Sequence, residues 1–201
     1  MKNKKQIIIN IAIAIIFFIL GGIFGSKMEN SRLNSIRNTI PNNSTQEKVK
    51  EEPKKEEAKI ISLNQEENLG NVGMKVLSVK ETEQINNEAG NSTASGKFIV
   101  IELSLKNNGK QPIQYEPNQF ELITNNDVIY QIDDNSFEAM GNLNSQETIF
   151  NKNKEFIGVY DKFNAGMTKK TYIVFEVPKD LSLDNIKLVV EGNKSVQFSL
   201  K

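Results

Sequence analysis

The first hydrophobic feature of the chain is a long apolar run over Ile7–Gly25, interrupted only by the polar side chain of Asn10. About 20 apolar residues in an α-helix cross the hydrocarbon core of a bilayer, which is about 30 Å thick. The backbone finds no external hydrogen-bond partners in lipid, so a single spanning segment must be helical. The pattern therefore predicts a transmembrane signal anchor over residues 7–25.

The residues before this run set its predicted orientation. Lys2, Lys4 and Lys5 make the N-terminal arm basic, and basic arms tend to stay on the cytoplasmic side. Residues 1–6 are therefore expected in the cytoplasm, with the rest of the chain outside the membrane. A cleaved export signal is the alternative, but such a signal has a shorter apolar region and an Ala-x-Ala-like site. No such site follows Leu20.

Polar and charged residues dominate the next segment, residues 26–68. The stretch QEKVKEEPKKEEAK, at 46–59, alternates charge signs, contains Pro53 and offers almost nothing to bury. Segments of this composition lack the apolar surface that would offset the entropy of ordering. The sequence therefore predicts a charged flexible linker between the membrane and the remaining domain.

From residue 69 onward the apolar positions recur with a period of two. In KFIVIELSLK, at 97–106, one aliphatic set alternates with a more polar set, which is typical of a strand with one buried face. Alternation over 120–124 and again over 128–132, with a polar turn between, predicts a hairpin. Further strands are predicted at 171–177, 186–190 and 196–200.

Several short strands without a βαβ rhythm predict an all-β domain over residues 69–201, an immunoglobulin-like β-sandwich. No convincing amphipathic helix is expected in it, and the Asn-rich, charged stretch 133–163 is interpreted as irregular. The apolar parity switches between Val76 and Leu77, which predicts a β-bulge inside one strand.

The amino-acid composition limits which metal, cofactor and catalytic sites the chain can form. The 201 residues include 25 basic and 25 acidic side chains, no His and no Cys. The missing His and Cys remove the usual zinc, haem and iron–sulfur ligand sets, the common catalytic triads, and any lipid-modified cysteine anchor. The balanced charge argues against a nucleic-acid binder, which normally shows a concentrated basic surface. We therefore expect no cofactor, no metal and no nucleic-acid partner.

Three segments carry a family resemblance: GKFIVIELSLKNNGKQPI from Gly96, PNQFELITNNDVIY from Pro117, and NAGMTKKTYIVFEVP from Asn164. They resemble the bacterial extracellular immunoglobulin-like domain of unknown function found in Gram-positive membrane proteins and lipoproteins. That domain is similar in fold to a mycobacterial secreted immunoprotective antigen. Ala165 and Thr171 stand where the family usually has Pro and Gly, which affects turn chemistry. The resemblance implies an extracellular fold and carries over no ligand and no catalytic residue.

Four aromatic residues stand among polar neighbours in the stretch 133–163, and they are the candidate partner-binding patch: Phe150, Phe156, Tyr160 and Phe163. An exposed apolar patch on a soluble domain often marks a site for a partner. The alternative is a loop that packs its own aromatic side chains onto the sandwich. The sequence favours packing for at least some of the four.

Two sets of oxygen-bearing side chains are candidate sites, one for calcium and one for the hydrolysis of sugars. Calcium needs six to eight oxygen ligands, and no spaced D-x-D-x-D-G loop is present, so a solvated turn is predicted instead of a calcium site. Carboxylate pairs hydrolyse glycosidic bonds, but sequence spacing cannot bring them together, so exposed surface positions are predicted. The first set is Asp127, Asp133, Asp134, Asn135 and Ser136, and the second is Glu138, Glu147 and Glu155.

The combined expectation is a single-pass membrane protein of the cell envelope whose extracytoplasmic domain binds or scaffolds without catalysis. Its partner would be an envelope protein, a peptide or a cell-wall component. The alternative is a carboxylate-based envelope hydrolase or a ligand-sensing domain, and a third option is a structural spacer.

Overall fold

The computed structural model describes residues 58–201, and the predicted cytoplasmic arm, membrane anchor and linker up to residue 57 lie outside that part. The strands are β1 (Lys59–Ile61), β2 (Glu67–Leu69), β3 (Val72–Asn87), β4 (Gly90–Asn107), β5 (Ile113–Gln114), β6 (Phe120–Thr124), β7 (Ile129–Tyr130), β8 (Lys162–Phe163), β9 (Thr168–Val177), β10 (Ile186–Val190) and β11 (Asn193–Ser199). The α-helix of the described residues, α1 (Asp134–Ser145), continues into a π-helical turn at Gln146–Phe150, and two short 3-10 helices lie at Pro117–Gln119 and Leu183–Asn185. Within residues 58–201, no helix has the length and apolar character needed to cross a bilayer.

Two sheets form a β-sandwich, as the alternating pattern predicts. One sheet has the strand order β1-β11-β10-β6-β7 and the other has the order β2-β3-β4-β9, while β5 and β8 pair separately. Side chains from both sheets, such as Ile101 of β4 and Leu188 of β10, join one core cluster and are fully buried. Removing this apolar surface from water is the main force holding the sheets together.

The predicted β-bulge is confirmed. The antiparallel pairing of β3 with β4 shifts register between Val76 and Ser78. A bulge adds one residue to one strand, so it reverses which side chains face the core. After this bulge Val79 stands opposite Ile101, on the same face that Val76 occupied opposite Leu103.

The predicted hairpin is also confirmed, because β6 pairs antiparallel with β7 across a turn at residues 125–128. The Thr124 N–H donates to the Val128 carbonyl, and Asp127 adopts a left-handed backbone with φ of 61°. Asp tolerates that conformation better than most residues do, so the residue types of this segment are sufficient to predict the turn.

The domain is mostly β, but the expectation that it contains no helix is wrong, because α1 begins inside the stretch interpreted as irregular. Asp133 caps the helix, since its carboxylate accepts a hydrogen bond of 2.7 Å from the backbone N–H of Ser136. The buried side chains of α1 are mostly small or polar: Ser136, Ala139, Met140 and Asn144. A helix that buries such residues shows no apolar stripe of period 3.6, so the pattern concealed it.

The sandwich begins earlier than the boundary predicted at residue 69. Residues 59–61 form β1, which pairs in parallel with the last strand β11, and β2 pairs with the start of β3. Ile61 is fully buried in this arrangement. The partner of β1 lies at the far end of the chain, so no local pattern identifies this strand.

Candidate functional site

Helix α1 lies along the edge of the four-stranded sheet formed by β9. The Asn144 side chain accepts a hydrogen bond of 2.8 Å from the Tyr172 N–H and donates one of 2.9 Å to the Tyr172 carbonyl. Two turns earlier, the Ser136 hydroxyl accepts a hydrogen bond from the Glu176 N–H at 2.7 Å. Eight helical residues rise about 12 Å and four strand residues about 13 Å, so the two elements match in length.

The tip of the β3–β4 hairpin folds toward α1 and is tied to it by side chains. The Asn87 amide donates to the Asn142 carbonyl at 3.2 Å, and the Glu88 N–H donates to the Gln146 side chain at 2.9 Å. Gly90 permits this approach, because a Cβ atom there would lie 2.5 Å from the Asn142 side chain. The hairpin tip and the C-terminal half of α1 therefore lie next to each other on the outer face of the sheet.

An open groove lies between them on the outer face of the four-stranded sheet, with a volume of about 560 Å³. Its volume is that of a typical ligand pocket, for which about 300–1,000 Å³ is usual. We call it the α1 groove, and it is lined by Ser78, Lys80, Thr82, Gln84, Ile85, Asn86, Asn87, Val100, Leu143, Gln146 and Tyr172. Hydroxyl and amide groups thus surround an aliphatic floor, beside one tyrosine and one lysine.

One end of the α1 groove contains a tyrosine flanked by carboxylates. Register places Ser78, Glu102 and Tyr172 side by side on adjacent strands, and the Ser78 hydroxyl donates to Glu102 at 3.1 Å. The ring of Tyr172 packs on Phe156 with centroids 5.2 Å apart. Burial raises the pKa of the Tyr172 hydroxyl, and the negative charges of Glu102 and Glu147 raise it further. The phenol therefore stays neutral and is available as a hydrogen-bond donor.

Comparison with known families decides what kind of domain this is. Residues 61–199 match the domain of unknown function DUF4352. The chain belongs to this family. The match begins within β1 and ends with β11, so the DUF4352 domain coincides with the sandwich and includes the α1 groove.

Solved structures similar to the DUF4352 domain come from several bacteria. A conserved hypothetical protein from Bacillus anthracis is 20% identical, with 70% of this chain and 94% of that chain covered at a TM-score of 0.48. An uncharacterized β-sandwich protein from Clostridium difficile is 16% identical, with 75% and 100% covered and a TM-score of 0.47. The secreted protein MPT63 from Mycobacterium tuberculosis is 11% identical, with 71% and 97% covered and a TM-score of 0.45. No curated protein matches the chain.

The four aromatic residues of the predicted patch differ in their exposure to solvent in the folded DUF4352 domain. Phe156 and Phe163 are buried, at 8% and 3% exposure, so packing explains both. Phe150 and Tyr160 are exposed, at 45% and 46%. The four side chains therefore do not form one surface patch.

Tyr160 instead pairs with an aromatic residue that the sequence interpretation missed. Its ring centroid lies 6.2 Å from that of Phe137, which is also partly exposed on the first turn of α1. Tyr160 has a φ of 64°, a left-handed conformation that is unusual for a bulky side chain. Phe137 was overlooked because α1 was not predicted, and a helix starting at Asp133 would have placed it on the surface.

The candidate oxygen ligands have structural roles instead of forming a metal site. Asp133 caps α1, and the Asn135 amide donates to Glu176 and to the Thr93 carbonyl at 3.2 Å. Within residues 58–201, no three Asp, Glu, His or Cys side chains are placed to hold a metal ion. The solvated turn predicted at Asp133 and Asp134 is therefore a helix start, and the caps explain its acidic and amide residues.

Two of the three glutamates that are candidate catalytic groups are engaged by other side chains. Glu147 accepts a hydrogen bond from the Asn153 amide at 3.1 Å, and Glu155 forms an ion pair with Lys170 at 3.0 Å. Glu138 is exposed on α1. None of the three lines the α1 groove.

A second, smaller cavity of about 120 Å³ lies at the end of the sandwich, between the two sheets. Its lining is almost wholly apolar and includes Phe163 of the predicted patch: Leu69, Val72, Met74, Leu105, Ile113, Gln114, Tyr115, Gln119, Phe120, Phe163 and Val190. It is close to the size of apolar cavities that stay dry and admit one small hydrophobic molecule. It offers little of the polar chemistry that gives a site specificity.

Proposed function

We propose that this protein is a membrane-anchored, extracytoplasmic binding module, immunoglobulin-like in fold, whose DUF4352 domain holds a component of the cell envelope without catalysis. The observation that carries the proposal is the α1 groove. Its walls are fixed in place by hydrogen bonds that join α1 to β9 and to the hairpin tip, so the groove exists before any ligand binds. A preformed site lowers the entropic cost of binding.

The chemistry of the groove supports binding over catalysis. Its polar lining consists of hydroxyls, amides, one tyrosine and one lysine, which together supply hydrogen-bond donors and acceptors. The candidate acid–base groups Glu147 and Glu155 are engaged by Asn153 and Lys170. Glu102, which lies beside Tyr172 at one end of the groove, accepts the Ser78 hydroxyl. General acid–base catalysis requires a titrating group within hydrogen-bond reach of the substrate.

The cellular location rests on the sequence. The apolar run over Ile7–Gly25 behind a basic arm supports a single-pass anchor with the domain outside the membrane. The charged segment 46–59 supports a spacer between membrane and domain. Residues 1–57 lie outside the described part of the chain.

A pull-down from envelope extract tests the binding function. Full-length protein in neutral detergent should capture a component that the double variant Gln84→Ala/Asn86→Ala loses, because both side chains are exposed in the groove. The control Asn126→Ala alters an exposed amide in the β6–β7 turn and should capture normally. Capture that is indifferent to the groove variant contradicts the proposal, as does hydrolysis of wall material that Glu147→Gln abolishes. Failure of any component to bind favours a structural spacer.

A further inference from the structure

The cavity of about 120 Å³ at the end of the sandwich, which we call the end cavity, lies where both sheets meet the β5–β8 pair. Strands β3 and β4 of one sheet and strands β6 and β10 of the other contribute to its walls. The end cavity shares no lining residue with the α1 groove. It is therefore a separate space, enclosed between the sheets, whereas the α1 groove lies outside them.

The interior of the end cavity is apolar. The exposed residues of its lining are Gln114 and Gln119, which mark its opening to solvent. The Tyr115 hydroxyl already donates toward the Met140 sulfur at 3.8 Å and the Tyr172 carbonyl at 3.5 Å. A buried water needs about two to four polar partners, so this interior holds water poorly. The deep walls are the buried side chains of Met74, Leu105, Tyr115, Phe120 and Phe163.

Hydrogen bonds hold the walls of the end cavity in place. The fully buried Asn107 amide, at the end of β4, donates to the Gln111 carbonyl at 2.8 Å and to the Phe163 carbonyl at 3.3 Å. On the opposite side, the Glu191 N–H donates to the Gln119 carbonyl at 2.7 Å. These bonds fix the β5–β8 pair and the segment before β6 to the sheet ends. A cavity persists where the surrounding structure relaxes only partially.

The size of the end cavity limits what fits in it. Protein interiors are normally packed so closely that few voids exceed a water molecule. An empty apolar cavity forfeits dispersion contacts with its lining, and an occupant of matching size restores them. An apolar cavity of about 150 Å³ binds benzene or xenon, and the end cavity is slightly smaller. It therefore fits a group of at most about six carbon atoms.

We propose that the end cavity is a binding site for one small apolar group, an aromatic ring or a short branched hydrocarbon. Size and apolar character select the ligand, because the buried lining offers hydrocarbon surface. A polar molecule of the same size loses its hydrogen bonds to water on entering such an interior. The site is independent of the α1 groove and adds a second class of ligand to the domain.

The test uses full-length protein in neutral detergent, isotope-labelled at the methionine methyl groups for NMR, with benzene as the probe. Benzene is supplied as vapour at a fixed partial pressure, which sets the same benzene activity in every sample however much dissolves in the detergent. The methyl resonance of Met74, which lines the end cavity, should shift as the benzene pressure rises. The resonance of the exposed Met167 should not shift.

Two substitutions on different walls fill the end cavity. Val72→Phe of β3 and Val190→Phe of β10 each place a ring in the lining and should weaken benzene binding at least about tenfold. The matched control Val128→Phe adds the same ring in the exposed β6–β7 turn and should leave benzene binding unchanged. The resonance of the buried Met140 methyl shows that each variant is folded. If one filled variant does not fold, the other carries the test.

A Met74 resonance that does not respond to saturating benzene vapour would overturn this inference. An equal response in Val128→Phe and in the filled variants would overturn it as well. The Gln84→Ala/Asn86→Ala variant alters only the α1 groove and should bind benzene as the wild type does. Because the pull-down measures the α1 groove and the benzene titration measures the end cavity, failure of one proposal is distinguishable from failure of the other.

Discussion

At the scale of single residues, buried polar side chains position the groove. Asn144 and Ser136 are nearly inaccessible to solvent, at 1% and 0% exposure, and both bond the backbone of β9. An edge strand exposes unpaired N–H and C=O groups that invite aggregation, and proteins cover such edges. These two side chains cover the edge and fix α1 beside the sheet at the same time.

Replacing Asn144 tests this role. Asn144→Leu removes both hydrogen bonds to Tyr172 and the bond of 3.2 Å from the Thr171 hydroxyl, leaving buried polar groups without partners. Each such group costs about 1–3 kcal/mol, so the free energy of unfolding should fall by about 2–4 kcal/mol. Urea denaturation measures it, and Asn126→Ala in an exposed turn should change stability by less than about 0.5 kcal/mol. Equal effects of the two substitutions would refute the role.

Glu176 makes the stability of this junction depend on pH. Its burial opposes ionisation, but hydrogen bonds from Asn135 and from the backbone of Ser95 and Gly96 outweigh burial and lower the pKa of Glu176 below its usual 4.5. A lowered folded-state pKa stabilises the fold above the unfolded value, and that stability is lost as pH falls through the folded value. The stability advantage of wild type over Glu176→Gln should therefore shrink as pH falls below the usual glutamate pKa of 4.5.

Unfolding curves measured above and below that pH check the expectation. Glu138→Gln, on the exposed side of α1, serves as the control and should run parallel to wild type. A gap between wild type and Glu176→Gln that stays constant down to acid pH would show that Glu176 has no such role.

At the scale of elements, the sequence identified strands well and the helix poorly. Alternation predicted β4, β9, β10 and the β6–β7 hairpin because each has one face on the core. The signal for α1 was indirect: Phe98, Ile99, Val100 and Ile101 of β4 are consecutive and all buried. A strand in a two-layer sandwich buries only alternate residues, so this run indicated a covering element.

The groove itself could not be predicted for the same reason. Its walls come from the hairpin tip, from β9 and from a helix whose buried residues are mostly small or polar, and these segments meet only in the tertiary structure. The four predicted aromatic residues do not form one patch, because Phe156 and Phe163 pack into the domain. The local sequence does not distinguish a buried aromatic residue from an exposed one in such a segment.

Substitutions at two glycines test the contact between α1 and the hairpin, because they should change the stability of the domain in opposite directions. Gly90→Ala places a methyl group 2.5 Å from the Asn142 side chain and should destabilise the domain by about 1–3 kcal/mol while weakening ligand capture. Gly141→Ala lies in α1 with open space around its Cβ position and should stabilise by about 0.5–1 kcal/mol. Thermal or urea unfolding reports both. The same sign for both substitutions would contradict the close packing at Gly90.

At the scale of the whole molecule, the proposed function combines an anchor and a linker inferred from the sequence with the α1 groove described by the structure. The DUF4352 domain presents the α1 groove on the outer side of the four-stranded sheet. The other sheet packs its inner face into the shared core and includes the parallel strand β1. A tethered domain stays at high local concentration near its envelope partner, so modest affinity is sufficient for stable contact.

The most direct measurement uses the absence of cysteine from the sequence. Asn86→Cys supplies a single thiol in the α1 groove, and Lys194→Cys supplies one on the opposite sheet. In intact cells both should react with a membrane-impermeant maleimide, and a photo-crosslinker on the thiol should join an envelope component from position 86 only. No labelling until the cells are lysed, or crosslinking that is the same from both positions, would contradict an extracytoplasmic module that binds through the α1 groove.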